Sequence, residues 1–301
     1  MPDHIDIDLP DVPGVRHRYL TVRGARLHVA EAGDGDAPAV LLLHGFPQHW
    51  YAWRGVIGPL ARERHVIALD FRGFGWSEAT AGGYSTAARV RDVLGVMDEL
   101  GIDRADIVGH DWGALVAFHL ALEHPGRVDR LVSISMVHLW PLQRHLAPNA
   151  WRWWVTALFE WPVLGAWMLR RRPRVTGWLL ARDAARPGVW TRSLREAYSS
   201  PASQPTRARA GQRLHAHLVL GMPRLLFGRN RKRPFVVPTL VVGGRSDALV
   251  PPAVLAVPAA RAGVIGVRTV NGGHFVLDES PDEVAEAVLD HLVRAVNEAQ
   301  R

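Results

Sequence analysis

Apolar and polar positions change period several times along this 301-residue chain. Residues 19–22 and 26–30 read as two short strands joined by a turn at Gly24. Residues 39–43 and 65–69 are unbroken apolar runs, the pattern of strands buried on both faces. From 85 to 100, Val90, Val93, Leu94 and Met97 recur at helical spacing, and Gly101 ends the run. A short strand at 106–108 precedes residues 112–122, which are apolar on nearly every face and predict a buried helix. Residues 130–135 return to strand. Strands alternating with helices predict an α/β architecture, a mostly parallel sheet flanked by helices.

The alternation stops near His138 and resumes at Pro238-Thr239-Leu240-Val241-Val242. The stretch between is helical in character and holds eight of the 12 tryptophans. The predicted organisation is a core of 1–137 and 236–301 with a helical cap (lid) inserted over 138–235. Past the cap, 264–270 reads as a last strand. Ser280-Pro281-Asp282-Glu283 predicts the start of a last helix, with Ser280 as N-cap and Glu283 closing a capping box.

Charge follows the same division. Residues 138–235 carry 18 basic side chains against Glu160, Asp183 and Glu196, whereas the remainder carries 18 basic and 26 acidic ones. The arginine runs read as solvated faces, and no recognition motif accompanies them, so nucleic acid is not expected as a partner. The stretch 151–169 is apolar, but Arg152, Glu160 and Pro162 interrupt it. A charge at mid-span costs about 2.5–3.5 kcal/mol, so no transmembrane segment is expected. The absence of cysteine excludes disulfides, thiolate metal sites and Cys nucleophiles. The first six residues show neither a basic nor an apolar leader region, and a cytoplasmic protein is expected.

The candidate chemistry centres on Gly109-His110-Asp111-Trp112-Gly113. A strand, a sharp turn and a helix are predicted there, with a carboxylate at the tip of the turn. A carboxylate attacking an ester would give a reactive anhydride. Attack on a saturated carbon gives an ordinary alkyl ester that water can hydrolyse. Asp111 as nucleophile therefore implies a strained epoxide or a carbon–halogen bond. Two partners follow in order: Asp247 in a loop after the strand at 241–242, and His274 in Asn271-Gly272-Gly273-His274-Phe275. The order nucleophile, acid, histidine on a parallel sheet is that of the α/β-hydrolase fold. His44 and Gly45 read as turn-shaping residues and His110 as a core histidine.

Five segments make the likeness specific: 41–54 (LLLHGFPQHWYAWR), 68–77 (ALDFRGFGWS), 108–117 (VGHDWGALVA), 242–252 (VGGRSDALVPP) and 272–281 (GGHFVLDESP). Together they resemble the epoxide hydrolase and haloalkane dehalogenase branch of the α/β-hydrolase superfamily. The resemblance implies an Asp-His-Asp triad. Asp111 would form a covalent ester, and His274, oriented by Asp247, would activate water against it. The backbone N–H groups of Phe46 and Trp112 would form the oxyanion hole. It implies no cofactor and no metal. A small-molecule epoxide and water are the expected partners, with room for a homodimer.

Epoxide hydrolases of this type place two cap tyrosines over the epoxide oxygen. Here the corresponding positions fall near Trp153-Trp154-Val155 and at His215. The candidate donors are therefore His215, Trp154, Trp153 and the cap tyrosine Tyr198. The turn His44-Gly45-Phe46-Pro47 favours the epoxide branch over the dehalogenase branch. The expected function is an epoxide hydrolase for a bulky apolar or aromatic substrate. The alternatives are a haloalkane dehalogenase using the same Asp111, and a non-catalytic binding protein of the same fold.

Overall fold

The computed structural model describes residues 7–153, 161, 164–171, 173–182, 184–227 and 233–299. Strands β1 (Arg16–Val22) and β2 (Ala25–Ala32) form an antiparallel hairpin around Arg23-Gly24. They are longer than their apolar runs, because the outer residues of β1 are polar and face solvent at the sheet edge. β2 pairs antiparallel with β4 (His65–Leu69), and every later pairing is parallel. With β3 (Ala39–Leu43), β5 (Ala105–His110), β6 (Val128–Ile134), β7 (Thr239–Gly244) and β8 (Ile265–Val270), the order across the sheet is β1-β2-β4-β3-β5-β6-β7-β8.

Alternate side chains of the central strands feed two cores. Leu41 and Leu43, with Ile67, Leu69 and Ile107, face helices α2 (Thr86–Glu99) and α3 (Trp112–Glu123). Val40 and Leu42, with Val66, Ala68 and Val108, face the opposite side with α1 (Arg54–Leu60) and a C-terminal helix. The two-residue period of a strand explains why these runs have no polar face. Each fully buried Leu or Val contributes about 1.5–3 kcal/mol. Ser85 starts α2 as expected, its hydroxyl accepting the Ala88 N–H at 3.2 Å. Gly101, at φ 69°, ends it.

Between β6 and β7 the described residues form helices and short turns. They include α4 (Gln143–Leu146), α5 (Leu164–Arg171), α6 (Pro173–Arg182), α7 (Arg192–Ala202) and α8 (Pro205–Phe227). After β8 come α9 (Val276–Glu279) and α10 (Pro281–Ala299). Pro281 takes the first helical position of α10, but the expected capping box does not form. The Ser280 hydroxyl donates to the Asn271 carbonyl, and the Glu283 carboxylate accepts from the Asn271 N–H at 2.9 Å. Both side chains thus tie the helix start to the loop that carries His274. No helix among the described residues is long and apolar enough to cross a membrane.

A buried carboxylate fixes the loops on the β3 and β4 side. Asp70, fully buried after β4, accepts from Trp50 N–H at 2.7 Å, from His28 Nδ1–H at 2.8 Å and from Trp76 N–H at 3.0 Å. Burial alone would raise its pKa, but His28, with His49 and His44 nearby, holds it down at about 2. A carboxyl held below its unfolded value stabilises the fold above pH about 4 and loses that contribution as pH falls through 2. Asp70→Asn leaves the donors facing a neutral amide. It should cost about 3 kcal/mol at neutral pH, read as a lower guanidinium unfolding midpoint, and the deficit should shrink in acid.

Candidate active site

Four loops at the carboxyl ends of β3, β5, β7 and β8 converge on Asp111. This end of a parallel sheet is where α/β proteins place their chemistry. β5 runs straight into the turn, and Asp111 adopts φ 49° and ψ −122° before α3 begins. Such a conformation in a residue other than glycine costs about 1–3 kcal/mol. The turn survives because its neighbours are small. A Cβ on Gly113 would lie 2.1 Å from the Leu43 carbonyl oxygen, and one on Gly45 would lie 2.5 Å from the Asp111 Cβ. Both glycines allow the β3 loop and the β5 turn to touch.

The carboxylate of Asp111 is divided between two tasks. Its Oδ2 accepts the Phe46 backbone N–H at 2.9 Å, and its Oδ1 lies 3.7 Å from His274 Nε2. His274 Nδ1–H donates to Asp247 Oδ2 at 3.1 Å. Asp247 is held by its other oxygen, Oδ1, which accepts the N–H groups of Leu249 at 2.9 Å and Val250 at 2.8 Å. Asp111, Asp247 and His274 are all buried. Burial opposes charge on His274, but Asp247 and Asp111 overcome it and push the pKa up to about 10. Burial also opposes charge on Asp111, and His274 and the Phe46 N–H overcome it, so its pKa falls. The resting state is an imidazolium between two carboxylates. Trp112 follows at the first position of α3, so its N–H is among the four without an intrahelical acceptor. Among the described residues, the Phe46 N–H is the one backbone donor bonded to the resting carboxylate.

The four cap donors fare differently. Tyr198 does not reach the nucleophile. Its hydroxyl donates to Asp278 Oδ1 at 2.9 Å and accepts from Arg54 at 3.1 Å, in a buried cluster that Gln48 completes. Trp153 donates its indole N–H to the Leu249 carbonyl at 3.0 Å, so it anchors the insertion to the Asp247 loop. Trp154 lies outside the described residues. His215, on α8, is beside the site, its ring centroid 4.4 Å from Phe46 and 6.0 Å from Trp112. Its Nδ1–H donates to the Gly211 carbonyl at 2.9 Å, and burial lowers its pKa to about 4. At neutral pH the ring is uncharged with its hydrogen on Nδ1. Nε2 then carries no hydrogen, and the proposed donation from this ring is corrected to acceptance.

Two supporting residues escaped the sequence. His110 is a core histidine as expected, but its Nε2–H also donates to the His274 carbonyl at 2.9 Å, fixing the loop of the base. Glu279 accepts from Gly273 N–H at 2.8 Å, Ala185 N–H at 3.1 Å and the Trp190 indole at 3.3 Å. It joins the His274 loop to the insertion. The signal for Glu279 was an Asp-Glu pair directly after the apolar run Phe275-Val276-Leu277. Among the described residues no group of three or more His, Asp or Glu side chains could hold a metal ion.

Known proteins resemble this chain in sequence and fold. The profile of the alpha/beta hydrolase fold family matches residues 38–281. Over 134 residues the chain is 43% identical to Epoxide hydrolase 2 of Siraitia grosvenorii, covering 44% of this chain and 41% of that protein. Over 125 residues it is 46% identical to Epoxide hydrolase B of Mycobacterium tuberculosis, covering 40% of this chain and 35% of that protein. The chain thus matches less than half the length of these curated relatives. A candidate epoxide hydrolase from Pseudomonas aeruginosa superimposes with a TM-score of 0.81 at 28% identity, over 98% of this chain and 100% of that one. A family match that runs from the residue before β3 to the first residue of α10, over a sheet of this order, makes the chain a member of the alpha/beta hydrolase family.

Proposed function

We propose that the protein is an epoxide hydrolase that opens its substrate through an ester on Asp111. One observation carries this reading: a carboxylate, not a hydroxyl, occupies the turn, with one oxygen on the Phe46 N–H and the other toward the His274 ring. The similarity to epoxide hydrolases supports it.

In the first step Asp111 Oδ1 attacks an epoxide carbon, the C–O bond of the ring breaks, and the oxygen leaves as an alkoxide that takes up a proton. Asp111 then carries no charge, and the carboxylate that helped hold the proton on His274 is gone. The pKa of His274 falls and the ring releases a proton, which balances the one gained by the alkoxide. In the second step neutral His274 takes a proton from water, whose oxygen attacks Cγ of the ester. The oxyanion grows on Oδ2, where Phe46, joined by Trp112, stabilises it. Collapse releases the diol and restores the carboxylate. Asp247 keeps the imidazole oriented throughout.

The inserted helices act as the cap over 138–235. Phe46, Trp112 and His215 give the site an aromatic wall suited to a bulky apolar or aromatic substrate. With Tyr198, Trp153 and His215 each committing a hydrogen elsewhere, Trp154 is the proposed donor to the epoxide oxygen.

His274→Gln should form the ester and fail to hydrolyse it, with turnover slowed about 10²–10⁴-fold. Intact mass should then show a gain equal to the whole epoxide, mapped to Asp111. A gain of the alkyl group without halogen, from haloalkanes alone, makes the protein a dehalogenase. No adduct from any epoxide or haloalkane leaves a binding protein. The two steps should also separate by pH. Asp111 stays ionised in mild acid, so single-turnover ester formation should persist at about pH 5. Ester hydrolysis needs neutral His274 and should slow as pH falls. Equal losses in both steps would contradict the assignment. Trp154→Phe should slow ester formation at least about ten-fold and spare hydrolysis.

A further inference from the structure

Arg89 is a buried cation that the mechanism does not use. It lies in the first turns of α2, 2% exposed, among the largest fully buried side chains. Its Nε and Nη2 have no hydrogen-bond partner among the described residues. Its neighbours are rings: the guanidinium carbon sits 4.7 Å from the centre of Phe71 and 5.2 Å from that of Phe74. The nearest obvious acid, Asp92, is already engaged. Its Oδ2 accepts Arg72 Nε–H at 2.9 Å, and its Oδ1 accepts Arg72 Nη2–H at 2.8 Å and Arg23 at 3.2 Å. Tyr84 gives its hydroxyl hydrogen to the Thr80 carbonyl. Stacking on two rings offsets only part of the cost of burying an unpaired charge.

Arg89 adjoins the active site. Phe74 packs edge-on against Phe46, whose N–H holds Asp111 and whose ring meets His215. Burial lowers the Arg89 pKa to about 10, while Asp92, Tyr84 and Asp111 act to raise it, so the side chain stays charged at neutral pH. Phe74 also lines a cavity with Phe46, Gly73, Gly75, Leu169 and Arg207, between the core and the inserted helices. The Phe74 ring thus meets the guanidinium and also lines the cavity that Phe46 borders.

The two unpartnered atoms identify the ligand. Nε–H and Nη2–H form one edge of the guanidinium, with parallel hydrogens spaced for the two oxygens of a carboxylate. Arg72 uses that same edge on Asp92. A halide would have to share one acceptor between the two N–H groups, whereas a carboxylate gives each its own oxygen. We propose that Arg89 is an anion-recognition point in the active-site wall, reached when the Phe74 ring swings aside, and that the substrate bears a carboxylate set apart from its reactive carbon. A substrate role for the carboxylate rests on the epoxide hydrolase reading; anion binding at Arg89 does not.

The test uses calorimetric titration of the full chain with 4-phenylbutyrate and with 4-phenylbutyramide, which have the same shape and no epoxide. The carboxylate should bind at least about ten-fold more tightly than the amide. In Arg89→Leu, and in Arg89→Met as a longer replacement, that ratio should fall to about one, with melting temperatures no lower than the parent's. Equal binding of the two probes by the parent overturns the proposal, as does binding of neither. Survival of the preference in both variants also overturns it. Chloride displacing 4-phenylbutyrate at equal concentration would assign Arg89 to a resident inorganic ion instead. No step of the titration uses ester chemistry, so its failure and a failure to trap the Asp111 ester are read separately.

Discussion

A proton held between two buried carboxylates governs the candidate site. His274 faces Asp247 at 3.1 Å and Asp111 at 3.7 Å, and all three groups are removed from water. His274 and the Phe46 N–H help keep Asp111 ionised at such depth, and the two carboxylates together keep His274 protonated against its burial. The asymmetry between them is useful. Asp247 accepts two backbone N–H groups besides the imidazole. Asp111 has one, from Phe46, and its charge is the one that a covalent bond would remove. The same proton would therefore be held at rest and released after alkylation, with no movement of the ring required.

Such an arrangement depends on loop positions, and the fold fixes each loop by a buried polar anchor. Asp70 gathers the His28, Trp50 and Trp76 segments. His110 and Glu279 hold the backbone on either side of His274. Asp278 binds Gln48 from the β3 loop, Arg54 from α1 and Tyr198 from the insertion. The three carboxylates Asp70, Asp278 and Glu279 each saturate several donors at once, which is how a charge in a core becomes favourable. Asp278 and Glu279 are adjacent in sequence and both reach the inserted helices. The segment that follows His274 is thus also tied to the insertion.

The sheet and the positions of Asp111, Asp247 and His274 at one end of it were legible because their signals are local. All eight strands announce themselves as short apolar runs or alternations, and the turn at Asp111 is written in glycines within five residues. What stayed hidden depends on contacts far apart along the chain. Tyr198 was a reasonable donor by residue type, but its partner Asp278 lies 80 positions away. His215 was found by position, yet its tautomer is set by the Gly211 carbonyl one helical turn earlier. The supposed cap at Ser280 fails because Asn271 competes for the side chain. Arg89 did leave a trace. It stands four residues before Val93 and eight before Met97, on the stripe of α2 that faces the core, where an arginine has no business unless something answers it.

Two kinds of basic residue must be separated in a chain of this charge. The inserted segment carries most of the excess, and arginines such as Arg170, Arg171 and Arg192 are exposed, where solvent screens them. They set the field around the molecule and say little about its chemistry. Buried arginines cannot be indifferent in this way. Arg207 donates to the carbonyls of Gly75 and Ser77, and Arg72 forks onto Asp92. Both are explained by the acceptors around them. Arg89 shares their burial without their acceptors, and it stands behind the same phenylalanine wall that closes the site of Asp111. Desolvation therefore makes one arginine among 35 informative about what the site would bind, while the larger basic surface remains a matter of solubility and long-range attraction.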